Sequence, residues 1–169
     1  KINKNLTITK SNLENTKTLF QNYLTKVFKT NDKNWKNYSI NQLGKVITGN
    51  TPKTNMAENY GNFISFVKPG DFKTDGSINF DKQKLSKIGM SKSRIVEKKS
   101  ILMVCIGATI GKCAYTNIDI TTNQQINSVT PTQNFNHKFI YYQMIAPEFQ
   151  NKIMNGYGQA TLPIINKSK

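Results

Sequence analysis

The residues best suited to chemistry lie between Ser100 and Thr130, where a glycine turn precedes a lysine and an amide-rich segment follows. Gly107 and Gly111 bracket the turn, and Lys112 comes directly after it. A phosphate-binding P-loop has four residues between these glycines and places Ser or Thr after the lysine. This chain has three residues there and a cysteine after the lysine, so the turn does not match a P-loop.

No other pattern in the sequence indicates catalysis or metal binding. The single histidine, His137, has no nucleophile near it, and no pair of carboxylates lies in an apolar setting. Cys105 and Cys113 with one histidine do not make a zinc ligand set, and we interpret them as buried, reduced thiols of a cytoplasmic protein. The tetrapeptides of amino-methyltransferases, which begin with Asp-Pro-Pro or Asn-Pro-Pro, do not occur. The sequence therefore favours a chain that is not an enzyme and binds no metal or cofactor.

The amide-rich segment favours recognition instead. Asn and Gln side chains make paired hydrogen bonds with adenine in the major groove of DNA, and lysine donates to guanine. The alternative is that the same amides bond inside the protein and brace the edge of the sheet. For Gln124 and Asn127 both interpretations stay open. The amide candidates for base readout are Asn123, Gln124, Gln125 and Gln159.

The charge balance indicates a polyanionic partner. The chain carries 24 basic residues against 9 acidic ones, a net charge of +15, and Arg94 is its single arginine. Such a surplus favours nucleic acid first and an anionic membrane second. A basic run from Lys82 to Lys99 is either a solvated surface or a phosphate-contacting face. The candidates for contact with phosphate or base are Lys53, Lys68, Lys92, Arg94, Thr109 and Lys112. The glycines of the turn would let the backbone approach a duplex closely.

Segments of strand and helix character frame these residues. An apolar run from Ile101 to Ile106, bounded by glycine, is typical of a strand buried on both faces. Other strands are predicted at Tyr38–Ile40, Lys45–Thr48, Gly61–Val67, Lys112–Tyr115 and Ile126–Thr130, and helices at Asn136–Ala146 and Glu148–Met154. The expected fold is α+β, a twisted, mainly antiparallel sheet with flanking helices. No apolar stretch approaches the roughly 20 residues that cross a bilayer.

An amphipathic helix is predicted at the start of the chain. Ser11 begins a capping-box pattern, and a narrow apolar stripe continues from there, so the helix is expected from about Asn12 to Phe28. The stripe suits packing against a second long helix, and it equally suits packing on the core of the same domain. The residues expected to make this contact are Leu13, Phe20, Leu24 and Val27.

Several short motifs occur in an order that resembles the specificity (S) subunit of type I restriction–modification enzymes. They cover residues 34–169, nearly one whole target recognition domain, and the opening helix resembles the end of the spacer helix that precedes such a domain. The motifs are Trp35 with Leu-Gly-Lys-Val at 43–46, Thr-Gly-Asn-Thr-Pro at 48–52, Tyr-Gly-Asn-Phe-Ile-Ser-Phe at 60–66, Leu-Met-Val-Cys-Ile-Gly-Ala-Thr-Ile-Gly-Lys at 102–112, Thr-Asn-Gln-Gln-Ile-Asn at 122–127 and Gly-Gln-Ala-Thr-Leu-Pro-Ile-Ile at 158–165.

The resemblance implies a spacer helix with its linker at residues 1–30 and a DNA-reading domain at residues 31–169 that stops before the next long helix. In this family an S subunit holds two recognition domains at a fixed separation, and each reads one half of a bipartite DNA site. Modification subunits then methylate adenine with S-adenosylmethionine, and a restriction subunit can join. The implied partners are double-stranded DNA, modification subunits, a restriction subunit and another copy of the helix, with no membrane.

Two alternatives stay open. In the first, the helix is a subunit-assembly module, and the basic surface plays no part in reading DNA. In the second, the chain is the DNA-reading portion of a fused methyltransferase–nuclease, whose Asn-Pro-Pro-Tyr-type motif would lie upstream.

Overall fold

The computed structural model describes residues 2–29 and 35–155, with side chains at 4–28 and 35–155. The helices are α1 (Ile2–Lys29), α2 (Ile40–Leu43), α3 (Lys87–Ser91), α4 (His137–Ile145) and α5 (Pro147–Asn155). The strands are β1 (Gly44–Thr48), β2 (Tyr60–Val67), β3 (Lys84–Leu85), β4 (Ile95–Val96), β5 (Ile101–Val104), β6 (Cys113–Tyr115), β7 (Ile120–Thr122) and β8 (Ile126–Pro131). Short 3₁₀ turns at Ala57–Asn59 and Pro69–Asp71 flank β2.

The strands form two four-stranded sheets. The first has the order β1-β8-β5-β6 and is antiparallel throughout. The second has the order β3-β2-β7-β4, in which β2 and β7 run parallel and the other pairs antiparallel. The predicted α+β class with mainly antiparallel pairing is therefore confirmed, with two sheets in place of one.

The first sheet is covered on both faces, which explains the continuous apolar run in β5. Leu102 and Val104 of β5 pack in a core cluster with Val67 of the second sheet. Ile101, on the opposite face of β5, packs in another cluster with residues of α4. The side chains of Ile101, Leu102 and Val104 are fully buried. A strand enclosed in this way needs apolar residues at successive positions, so the predicted buried strand is confirmed, although it ends before Ile106.

Two local predictions are wrong. The predicted strand at Tyr38–Ile40 is absent from the described chain, because the Ser39 N–H donates to Gln42 Oε1 at 2.8 Å and starts α2 with a capping box. The first helix begins at Ile2, well before the predicted start. Ser11 lies inside this helix and does not cap it, because the residues before it are themselves helical.

The two C-terminal helices begin where the sequence predicts. The Asn136 side chain accepts hydrogen bonds from the backbone N–H groups of Lys138 and Phe139 at 3.0 and 3.1 Å, as an N-cap does. Pro147 begins α5, a position where its missing N–H breaks no helical hydrogen bond.

Helix α1 packs on the domain only near its C-terminal end. Leu24 is its one buried side chain among those described, and Val27 is half-buried. Phe20 contacts Tyr142 edge-on, with ring centres 6.3 Å apart. The exposed apolar side chains of this helix include Leu6, Ile8, Leu13, Leu19 and Tyr23. The apolar stripe therefore packs on its own domain at one end and remains uncovered at the other. Within the described residues, no helix has the length and apolar character that a bilayer span requires.

Candidate nucleic-acid interface

Strands of both sheets reach one surface, which we call the strand-end surface. β1, β2, β5 and β7 end there, and β4 and β8 begin there. The registers fix this arrangement, because Thr48 lies opposite Asn127 and Val67 lies opposite Thr122. The loops at residues 49–56, 92–94, 105–111 and 123–125 therefore lie next to one another.

Asn50 joins three of the chain segments at this surface. Its Nδ2 donates to the Lys92 carbonyl at 2.9 Å, and its Oδ1 accepts from the Arg94 backbone N–H at 2.8 Å. Its own N–H donates to the Thr122 carbonyl at 2.9 Å. Both partners of the side chain are backbone groups with a fixed donor or acceptor character, so the amide has one orientation. Asn50 thus ties residues 92–94 to the loop after β1.

The Arg94 guanidinium folds back onto the end of β1. Its Nη1 donates to the Thr48 carbonyl at 2.8 Å, and the side chain is exposed. A guanidinium has five N–H donors, so most of them remain open. Within the described residues, no carboxylate forms a salt bridge with it. Arg94 is therefore held at one nitrogen and open at the others.

A fully buried asparagine, Asn59, supports two of the predicted lysines. Its Nδ2 donates to the Lys53 carbonyl and its Oδ1 accepts from Lys92 Nζ, each at 2.9 Å. Glu58 lies 3.4 Å from the same ammonium group. The Lys53 side chain is exposed. Lys53 is thus open to a phosphate, whereas Lys92 is partly engaged inside the protein.

The amides after β7 form an internal relay. Asn123 Oδ1 accepts from the Gln125 N–H at 3.2 Å, and Asn123 Nδ2 donates to Gln125 Oε1 at 2.8 Å. Gln125 Nε2 donates in turn to the Ile106 carbonyl at 3.3 Å. Asn127 Oδ1 accepts from Thr48 Oγ1 at 2.7 Å. These amides brace the loops in the way that the internal interpretation expects, and base contact by Asn123 and Gln125 stays a prediction.

Gln124 differs from its neighbours because its side chain is exposed. Its Oε1 accepts from Thr51 Oγ1 at 2.7 Å, while its Nε2 has no partner among the described residues. Among the described amide candidates, Gln124 therefore offers the most open hydrogen-bonding group. Gln159 lies outside the described residues.

The glycine turn beside this relay has a backbone that favours glycine. Gly107 and Gly111 have φ angles of +102° and +83°, in the left-handed region where other residues are strained. Gln150 of α5 stabilises the turn, since its Nε2 donates to the Gly111 carbonyl at 3.0 Å. Thr109 is exposed within the turn. Close approach of this backbone to DNA stays a prediction.

The two remaining lysine candidates lie in different places. Lys68 directly follows β2 at the strand-end surface, and its ammonium lies 5.4 Å from the centre of the Phe66 ring. Lys112 donates through Nζ to the Phe72 carbonyl. It lines a cleft of about 1060 Å³ that also includes Phe20 of α1. The Lys112 ammonium is therefore engaged with a backbone carbonyl inside the protein.

Carboxylates leave most of this positive charge unbalanced. Six of the described acidic residues form salt bridges, namely Glu14, Glu58, Asp71, Asp81, Glu97 and Glu148. Hydrogen bonds from Ser77 lower the pKa of the Asp75 carboxyl, and Asp119 accepts from the Lys98 N–H at 2.8 Å. Lys53 and Lys68 have no carboxylate partner among the described residues. The strand-end surface is therefore cationic.

The two thiols offer little reactivity in the native state. Both Cys105 and Cys113 are buried and free. Burial raises the pKa of the Cys105 thiol to about 11 and that of Cys113 to about 12. Among the described residues, no cluster of three or more His, Cys, Asp or Glu could hold a metal ion.

Sequence reasoning missed the residues that position the site. Asn50 and Thr51 lie in the Thr-Gly-Asn-Thr-Pro motif at 48–52, which carries the family resemblance but gave neither residue a role. Asn59 and Gln150 carry no local signal at all, because their partners lie far away or on another element.

Comparisons with known proteins agree with the fold and the resemblance. The family described as "Type I restriction modification DNA specificity domain" matches residues 32–169. The HindI specificity subunit of a type I restriction enzyme from Haemophilus influenzae is 32% identical over 132 residues, which are 76% of this chain and 28% of that protein. The MjaIX specificity subunit from Methanocaldococcus jannaschii is 27% identical over 148 residues, 80% of this chain and 32% of that protein. The chain thus spans about a third of the length of these relatives.

Solved structures show the same fold. A chain from a type I R-M system superimposes with a TM-score of 0.67 at 16% identity, over 95% of this chain and 39% of that one. The HsdS subunit from Thermoanaerobacter tengcongensis gives a TM-score of 0.54 at 13% identity, over 86% of this chain and 36% of that one.

Proposed function

Because the chain belongs to the family of type I restriction modification DNA specificity domains, we propose that it reads one half of a bipartite sequence in double-stranded DNA. The observation that carries this proposal is the cationic strand-end surface. Lys53, Lys68 and Arg94 are exposed on it, and a fixed framework of asparagines holds the loops in place. Lysines supply charge that is indifferent to sequence, while directional donors supply base readout.

The proposal assigns the bond-making steps to other subunits. Among the described residues there is no metal-binding cluster, and both thiols are buried. We expect modification subunits to supply S-adenosylmethionine and to methylate adenine, a restriction subunit to join in some assemblies, and the complex to work in the cytoplasm. The chain itself would carry no cofactor and perform no reaction.

A second role, helix-mediated assembly, is favoured by the uncovered part of α1. Leu6 and Leu13, seven residues apart on one face of the helix, keep about half of their surface exposed, at 54% and 55%. Exposed apolar stripes of this kind pack against other helices. We expect this part of α1 to bind a second spacer helix or a modification subunit, while the strand-end surface binds DNA.

A binding series against salt concentration tests the DNA proposal. A library of randomised duplexes first identifies the preferred half-site, with the modification subunit present in a parallel series. About four basic side chains at the surface predict a slope of log affinity against log salt of roughly −3 to −4. Replacing both Lys53 and Lys68 by alanine should reduce that slope by about 2.

The matched control is Lys138→Ala, which removes an exposed charge at the start of α4, near the opposite end of β8. This variant should bind DNA like the unaltered chain. A flat salt response, or equal affinity for the selected and the random duplexes, would contradict the proposal. Deletion of residues 1–28 distinguishes the two roles. If the chain serves only in assembly, the remaining globular part will not crosslink to DNA.

A further inference from the structure

We propose that Arg94 reads a guanine through the major groove and that Asn50 is the residue that positions it. This inference rests on the proposed function and makes it specific, since it names one base type and one reading side chain. It follows from three features of the strand-end surface: the anchoring of the guanidinium, the rigid segment that carries it, and the cations around it.

The first feature is the anchoring of the guanidinium at a single point. Nη1 donates to the Thr48 carbonyl at 2.8 Å, so one nitrogen of the group is held at the end of β1. The other N–H donors of Arg94 face no carboxylate among the described residues. Guanine presents two adjacent acceptors, O6 and N7, in the major groove, and a planar guanidinium matches both at once.

The second feature is the rigidity of the segment that carries Arg94. The Asn50 side chain bonds the carbonyl of Lys92 and the N–H of Arg94, so it pairs with this segment as a neighbouring strand would. The Asn50 N–H is fixed in turn to the Thr122 carbonyl at the end of β7. A side chain whose backbone is fixed loses less entropy when it binds. Asn50 therefore acts on DNA through Arg94, as a positioning residue.

The third feature is the contrast with the surrounding cations. Arg94 is the single arginine among 24 basic residues. The neighbouring cations, Lys53, Lys68 and Lys92, are compact charges that suit phosphate but cannot form a planar pair of donors. The surface thus combines lysines that hold the DNA backbone with one arginine that discriminates between bases.

Arg94→Lys tests the inference, because it keeps the charge and removes the planar fork. The full chain is bound to a duplex library in which every position of the half-site is randomised. We expect the preference for guanine at one position to fall by about 10- to 100-fold. The salt slope should stay unchanged, since the number of cations is the same. Lys138→Arg is the matched control and should leave the preference at every position intact.

Asn50→Ala tests the positioning role. It should lower the same guanine preference without affecting other positions, and combining it with Arg94→Lys should cause little further loss, because both changes disable one unit. If Asn50 were only structural, Asn50→Ala would lower the melting temperature and leave the guanine preference as it was. Arg94→Lys decides the matter on its own if Asn50→Ala does not fold.

The possible outcomes distinguish a failure of the proposed function from a failure of the Arg94 inference. Absence of any sequence preference in the unaltered chain would overturn the proposed function, and with it this inference. A normal preference that survives Arg94→Lys at every position would overturn only the inference, and would show that Arg94 serves to fasten the end of β1.

Discussion

Two adjacent amides, Asn123 and Gln124, should respond in opposite ways to the same substitution. Asn123 is 7% exposed, and its side chain makes two hydrogen bonds with Gln125, at 2.8 and 3.2 Å. Gln124 is exposed and makes one hydrogen bond, to Thr51. The first amide is therefore part of the framework, and the second is available to a ligand.

The expected loss of stability follows from these contacts. Each hydrogen bond of Asn123 contributes about 1 kcal/mol, and Asn123→Ala also leaves partly buried polar groups of Gln125 without partners, at about 1–3 kcal/mol. The variant should lose about 3 kcal/mol of the free energy of unfolding. For a domain of this size, that corresponds to a melting temperature lower by about 6–12 °C. Gln124→Ala should cost less than about 0.5 kcal/mol.

Thermal unfolding followed by circular dichroism measures the first effect, and binding to the selected half-site, well below the melting temperature, measures the second. We expect Asn123→Ala to be destabilised yet sequence-selective when folded, and Gln124→Ala to be stable but less selective. Asn134→Ala, at an exposed loop asparagine, is the control for both assays. The reasoning is refuted if Gln124→Ala loses as much stability as Asn123→Ala, or if Asn123→Ala keeps its stability and loses selectivity.

Two further predictions concern packing and pH. At Gly49 an added Cβ would lie 2.2 Å from Thr122 Oγ1, so Gly49→Ala should cost about 3 kcal/mol in urea unfolding. Gly70→Ala, where a Cβ meets nothing within 4 Å, should be neutral. Burial raises the pKa of Cys105 to about 11 and of Cys113 to about 12, above the ordinary value of 9.0. Above about pH 9 the unfolded chain loses thiol protons that the native state keeps, so the urea midpoint should fall as pH rises. A chain with alanine at both positions should show a smaller fall.

Local signals predicted the parts of the fold that depend on neighbours in sequence. The apolar run of β5, the Asn136 cap and the Pro147 start could be read directly, because each rests on a pattern a few residues long. The strand predicted at Tyr38–Ile40 was wrong for a related reason. Its signal consisted of only two apolar residues, and the capping box of Ser39 starts a helix there instead.

The roles of Asn50 and Gln124 could not be read from sequence, because their partners are distant along the chain. Thr51 and Gln124, or Asn50 and Arg94, come together only after both sheets form. Composition indicated recognition by amides in this region, and base contact by them stays a prediction. Composition could not distinguish Gln124, whose side chain is exposed, from Asn123, which is buried and makes two hydrogen bonds with Gln125.

The framework that holds the strand-end surface is built largely from asparagine side chains bonded to backbone groups. The Asn50 side chain bonds a backbone carbonyl and a backbone N–H, and the Asn59 side chain bonds the Lys53 carbonyl. Every residue type has the carbonyl, and every type except proline has the N–H. Positions such as Lys53, Arg94 and Gln124 can consequently change identity one at a time while the scaffold beneath them keeps its shape. The chemistry of the strand-end surface can therefore vary by single substitutions while the fold beneath it stays the same.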